Sequence, residues 1–307
     1  IIDDVKHKIS CSLKMKSKTA GDLVFDIVNY LLVGILSLLF LYPVWYVLMA
    51  SFSNPAKLMV HTGALLLPNG FSLEGYEAVF KNKNIVTGYT NTLFYVGAGT
   101  VFSMFITTLG AYVTSRRNLY LRKFLLPFFV LTMYVNAGMI PDFLLVKTLG
   151  LYNSRLALIL PAAIGTWNLV VMRTSFLQVP ASLEESAKID GANHWTILWR
   201  IIFPVTKATF AVIALYYLVG KWNSWFHAMI YLKDRSKYPL QLFLQEILVA
   251  NSPTGLGGEG GAGNDFYRLD QIIKYCTIIV STVPILCVYP FAQRYFITGV
   301  MMGSLKE

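Results

Sequence analysis

Charge is scarce in this chain. Of its 307 residues only 14% are Asp, Glu, Lys or Arg, against roughly 25% in an ordinary soluble domain. A surface so poor in charge argues against a protein bathed in water on all sides. Cysteine is scarcer still: Cys11, Cys276 and Cys287 are an odd number without CxxC spacing, which indicates neither a disulfide framework nor a thiolate metal site. The histidines His7, His61, His194 and His227 are scattered, with no HExxH, no GxSxG and no carboxylate pair inside an apolar segment. A membrane enzyme therefore lacks its constellation, and no catalytic residue or metal ligand is assigned. No GxxxxGK followed by Ser or Thr occurs, so the chain brings no phosphate loop and no cofactor of its own. Gly255, Gly257 and Gly260 formally satisfy GxGxxG, but without a strand before them and a helix after them the run reads as a flexible linker.

What the chain has is apolar residues in long blocks. They make up 55% of the sequence and the mean hydropathy is +0.55. A bilayer is crossed by about 20 consecutive apolar residues in a helix, and six such segments stand out, at about 22 to 52, 89 to 114, 123 to 140, 154 to 177, 208 to 231 and 272 to 296. The fold class expected is all-α, a polytopic membrane protein of six transmembrane helices forming one domain over 22–307, behind an N-terminal segment of 1–21. Pro43 is expected to kink the first helix. Gly97, Gly99, Gly110 and Ala111 give the second a small-residue face for close helix approach.

Net charge is +10, and its location decides what that means. Lys6, Lys8, Lys14, Lys16 and Lys18 crowd the start, and Arg116, Arg117, Arg122 and Lys123 fill one short loop, as expected of segments retained on the cytoplasmic side. This reading orients the chain with both termini cytoplasmic in a bacterial inner membrane, and it leaves nucleic acid without support. It also places the 178–207 loop inside.

That loop, PASLEESAKIDGANHWTILWRIIFPVTKAT, reads as helix, turn, helix. Ser182 with Glu185 three residues on has capping-box form, Ala187 keeps the first helix thin, and Gly191 allows a turn with positive φ. Trp195, Leu198, Trp199 and Ile202 recur at helical spacing as an apolar stripe that must pack against something, before Pro204 breaks the pattern.

At these residues the chain resembles the permease subunits of binding-protein-dependent ATP-binding-cassette importers, whose coupling loop reads approximately EAA, two residues, DGA and a distant Pro. Glu185-Ser186-Ala187, Asp190-Gly191-Ala192 and Pro204 stand at those positions, with Ser186 in place of the usual Ala. Stretches at 233–248 and 293–307 look like the carbohydrate branch, the smaller maltose-type partner and the lipoprotein-linked oligosaccharide and polysaccharide uptake group. The resemblance implies a type I importer transmembrane domain. It also implies an ATPase-coupling site at Glu184, Glu185, Ser186, Ala187, Asp190, Gly191, Ala192 and Pro204, within a loop of about 181 to 206, and a cytoplasmic tail at 297–307 that approaches the same ATPase. The partners implied are a second homologous permease, two ATPase chains carrying ATP and magnesium, an extracytoplasmic solute-binding protein and a carbohydrate cargo. The cargo expected is an oligosaccharide or polysaccharide, with acidic alginate beside neutral glycans.

Polar residues inside a bilayer are costly and tend to face a cavity or another helix, while aromatic faces can stack on sugar rings. Tyr134, Asn136, Trp167, Asn168, Tyr217, Trp222, Asn223 and Trp225 are therefore the translocation-path candidates, with Asn91, Arg173 and Lys221 as further embedded polar groups. The rival reading is a stand-alone secondary transporter, which should show inverted repeats and mid-membrane ionisable residues and leaves the 182–204 loop without a purpose.

Overall fold

A computed structural model describes residues 20–116, 119–135, 137–250, 272–290 and 293. The N-terminal lysine cluster, Asn136, the glycine run at 255–263 and the 297–307 tail lie outside the described residues.

The described chain is built of helices, with a single isolated bridge between Ser53 and Phe71. In order they are α1 (Ala20–Ser51), α2 (Pro55–Val60), α3 (Glu74–Lys81), α4 (Lys83–Ser115), α5 (Arg122–Tyr134), α6 (Met139–Thr148), α7 (Thr166–Leu177), α8 (Ala181–Ile189), α9 (His194–Val205), α10 (Lys207–Trp222), α11 (Phe226–Tyr231), α12 (Leu240–Ala250) and α13 (Ile272–Pro290). Among the described residues, α1, α4 and α13 are long and apolar enough to cross a membrane, and counting α5 with α6 and α9 with α10 as bent single spans makes five. By length and composition the described residues thus give up to five spans, against the six expected from hydropathy.

The differences have local causes. The segment expected at 123 to 140 stops at Tyr134, and α6 begins after Gly138, whose φ of 92° takes the chain out of the helical region. The segment expected at 154 to 177 is a short 3₁₀ turn at Arg155–Leu158, an irregular stretch, and then α7. Pro161 lies between them, and a proline removes an amide donor while pushing its predecessor out of the α region. The fifth segment breaks after Trp222, where the Asn223 side chain turns back to the Val219 carbonyl at 3.0 Å. Hydropathy averaged over a long window misses these interruptions, because each is made by one or two residues inside an apolar stretch.

The helix α4 is the central post, packing against α7, α10 and α12. Its small residues set how close those neighbours come. A Cβ on Gly99 would meet the Lys221 side chain at 2.7 Å, and one on Gly88 would meet the Leu240 Cα at 2.9 Å. Gly97 meets nothing, so of the small residues singled out in sequence it is not used for packing within the chain. The first helix behaves differently: no residue of α1 is buried before Ala50, and the helix runs unbroken through Pro43. An apolar helix exposed all round is stable only against lipid or another chain.

Candidate functional site: the hairpin of α8 and α9

The hairpin begins at Pro180, which occupies the cap position of α8 without a side-chain hydrogen bond, while Ser182 lies in the first turn. The capping box expected from Ser182 and Glu185 is therefore not formed. Proline's fixed backbone angle leads into the helix two residues earlier than a serine cap would. The turn is as the spacing predicts. Gly191 takes φ +80°, its N–H donates to the Lys188 carbonyl at 3.0 Å, and the Ala192 N–H donates to the Ala187 carbonyl at 2.9 Å. Those two bonds close a Schellman motif and satisfy carbonyls that a helix end leaves open. Asn193, which sequence reading passed over, caps α9: its Oδ1 accepts from the Thr196 N–H at 2.8 Å and the Thr196 hydroxyl at 3.0 Å. An Asn directly after the turn glycine was the available signal.

Within α9 the ladder widens to π type over Ile197–Ile202. Pro204 offers no N–H and opposes the carbonyl four residues back, and the wider turn lets the helix run on to Val205. The chain then bends by 88° into α10, with the Thr206 hydroxyl donating to the Ile202 carbonyl at 2.7 Å.

One face of this hairpin is packed and the other is bare. Ile197, Leu198 and Ile202 are buried against Ala111 and Tyr112 of α4, Met172 and Phe176 of α7, and Phe210 of α10. Each such side chain is worth about 1.5–3 kcal/mol when fully buried. Of the stripe expected from Trp195, Leu198, Trp199 and Ile202, Leu198 and Ile202 are buried, whereas Trp195 is 53% exposed, Trp199 also faces outward and Ile197 takes an inner position. Ala187 and Ala192 pack inward on the same cluster. Both alanines are small enough to fit against the chain's own bundle.

Glu184 also turns inward and pairs with Arg116 at the end of α4. That guanidinium lies 4.4 Å over the Tyr112 ring and donates to Ser115 Oγ at 2.9 Å, while Tyr112 Oη and His194 Nδ1 are 2.9 Å apart. Both arms of the hairpin are thereby tied to one turn of α4, and Glu184 is a tether to the chain's own bundle. Left on the bare face are Glu185, Ser186, Asp190 and Gly191, joined by Ile189, which is 87% exposed at the tip. Pro204 is exposed on the second arm.

The translocation-path candidates do not form one site. Tyr217 is buried, with its hydroxyl 2.6 Å from Thr107 Oγ1 and accepting from the Gly165 N–H at 2.9 Å; it is a strut between α4, α7 and α10. Trp222 is in the core. Tyr134 and Trp167 are largely exposed, and Asn168 is half-buried near Gly165. Asn91 donates to the Ser236 and Tyr238 carbonyls at 2.7 and 3.0 Å, and Arg173 donates to the Thr114 carbonyl at 3.0 Å, so both brace backbone. Among the described residues, Asn223 and Trp225 meet in a cleft with α12 and α13, and Asn168 and Tyr217 both lie beside Gly165.

Residues 106–230, which include the whole hairpin, match the family described as binding-protein-dependent transport system inner membrane component. The chain is 40% identical over 286 residues to the polygalacturonan/rhamnogalacturonan transport system permease protein YtcP of Bacillus subtilis, covering 92% of this chain and 98% of the relative. It is 36% identical over 288 residues to Protein LplC of the same organism, covering 94% and 97%. The chain belongs to this permease family. Its fold is that of a bacterial ABC transporter involved in the import of the acidic polysaccharide alginate, with a TM-score of 0.82, 33% identity and coverage of 91% of this chain and 98% of that one. The permease is accordingly a transmembrane transport component of the type I class.

Proposed function

We propose that this permease is one transmembrane half of an ATP-driven importer that moves an oligosaccharide or polysaccharide delivered by a solute-binding protein, and that the α8–α9 hairpin couples it to a separate ATPase. The observation that carries the reading is the two-faced hairpin. Its inner face is anchored to α4, α7 and α10, while its tip offers an exposed isoleucine flanked by carboxylates and a tryptophan. A packed element of this kind moves as a rigid body when its partner closes, because packed contacts are displaced rather than continuously deformed. The partners proposed are two ATPase chains, which hold ATP and magnesium, a second homologous permease and the binding protein. Both termini and the hairpin face the cytoplasm in this reading. The names of the relatives put uronic-acid polymers such as alginate first among cargoes.

The test is affinity purification in mild detergent from a host expressing the whole gene neighbourhood, with wild type and Ile189→Asp. Wild type is expected to bring down an ATP-binding-cassette ATPase, and the variant to lose it while keeping the second permease. Wild type purified intact with no ATPase would end the importer reading in favour of a stand-alone transporter.

A further inference from the structure

Beside the break between α10 and α11 lies a cleft of about 380 Å³ whose walls are Asn223 and Trp225, Gln241 and Gln245 of α12, and Ser281 and Thr282 of α13. That volume falls in the ~300–1,000 Å³ range of small-molecule sites. No charged side chain lines the cleft among the described residues.

Gln241 and Gln245 stand four residues apart and so share one face of α12. Both are half-buried, and neither amide has a hydrogen-bond partner among the described residues. Half-buried amides without a partner in the chain stay open to the cleft, so the pair marks a place that water or a polar ligand fills. The other walls add to this. Ser281 and Thr282 donate back to the Ile278 carbonyl at 2.8 and 2.7 Å, which leaves their oxygens free to accept. Asn223 spends its Nδ2 on the Val219 carbonyl, so its carbonyl oxygen is also free. Trp225 is half-buried beside them, with an aromatic face suited to the C–H surface of a pyranose ring.

We infer that this cleft is a carbohydrate station that reads sugar hydroxyls through Gln241 and Gln245 and is indifferent to carboxylates. The inference rests on the importer reading and sharpens it. Donors and acceptors alternate around a ring-sized space without a cation, so a uronic-acid unit is held here by its hydroxyls, and its charge is left to other parts of the complex. Neutral amides also bind weakly enough to release each unit to the next, as a transport path requires.

The test uses the purified importer complex with its binding protein, reconstituted in vesicles, and two probes that differ in their carboxylates, trigalacturonate and galactotriose. In the Gln241→Leu/Gln245→Leu variant, ATP-driven uptake of both is expected to fall about tenfold, with subunit composition unchanged. In a Gln245→Cys variant, either sugar at millimolar concentration is expected to slow labelling by a small polar maleimide. Wild-type uptake of neither sugar under ATP would overturn the importer reading and the station with it. Robust wild-type uptake that the double variant leaves unchanged, or labelling that no sugar slows, would overturn the station alone. Loss of the second permease from the double variant would make the cleft a protein interface, and a fall confined to trigalacturonate would show that carboxylates are read after all.

Discussion

The two ends of α4 are held differently. At the Ser115 end an apolar hairpin is seated on an apolar cluster, with the ion pair of Arg116 and Glu184 at its edge. At the Lys83 end a loop is anchored by the buried Tyr231, Leu232 and Leu240 and is in addition clamped by a network of hydrogen bonds. Asn153, at φ 58°, accepts from the Lys233 and Asp234 N–H groups at 3.0 Å each and donates to Asp234 Oδ2 at 3.0 Å. Lys237 Nζ donates to the Asn153 carbonyl and to Asp234 at 2.8 Å. From α4, Tyr95 donates to the Lys237 carbonyl at 2.8 Å, and Thr92 accepts from the Leu240 N–H at 2.8 Å. Apolar seating tolerates small displacements along a surface, whereas a hydrogen-bonded clamp fixes one position, so force entering at the hairpin is passed to an end that is pinned.

The comparison can be broken most severely at Arg116. Arg116→Ala leaves Glu184 largely buried without its partner, which costs about 3 kcal/mol. The expected result is a lower detergent melting temperature and lost coupling of ATP hydrolysis to transport. The charge-removing pair Arg116→Met/Glu184→Gln should recover most of the stability. Next in size is Asn153→Ala, which loses three side-chain hydrogen bonds and leaves at positive φ a residue without the local polar bonding that lets Asn sit there, for about 2 kcal/mol. Limited proteolysis should then cut first in 231–240 and leave the hairpin protected. At the turn, Gly191→Asn should cost under about 1 kcal/mol because Asn tolerates the left-handed region, while Gly191→Val adds strain of about 1–3 kcal/mol. No atom lies within 4 Å of a Cβ built at Gly191, so any loss of ATPase binding in the well-folded Asn variant reports a partner seated on the turn.

The smallest effect is a pH dependence confined to the clamp. Hydrogen bonds from Lys237 and Asn153 hold the Asp234 carboxyl below its ordinary value. A depressed carboxylate stabilises the folded state above its unfolded pKa of about 3.9, and the contribution is lost as pH falls through the lower folded value. Melting temperature measured from pH 6 down to pH 3 should therefore fall slightly more steeply in wild type than in Asp234→Asn. An equal slope in the two would show that Asp234 adds nothing to the pinned end.

The two ends also differ in how far sequence could read them. The hairpin is a local object: Asp190-Gly191-Ala192, the helical period before and after it, and Pro204 lie within one short stretch, and near-neighbour chemistry dictates the turn. The clamp joins residues 91 to 95, 153 and 231 to 240, and nothing in the pattern of any one stretch names the others. The same limit explains the path candidates. Tyr217 stood out as an aromatic able to stack on a sugar ring and Asn91 as a costly embedded polar group, and both turn their polar atoms to distant parts of the chain, the Gly165 amide and the Ser236 and Tyr238 carbonyls.

Composition and local backbone preference are enough to say that the chain lives in lipid and that a glycine turn joins two helices at 181–206. Only the tertiary structure decided that Glu184, Ala187 and Ala192 face inward while Ile189 and Trp195 face out, that the expected spans are broken at Gly138, Pro161 and Asn223, and that Gln241 and Gln245 share a cleft with Trp225. Helical period says that a face exists, but which neighbour covers it depends on residues far away in the chain.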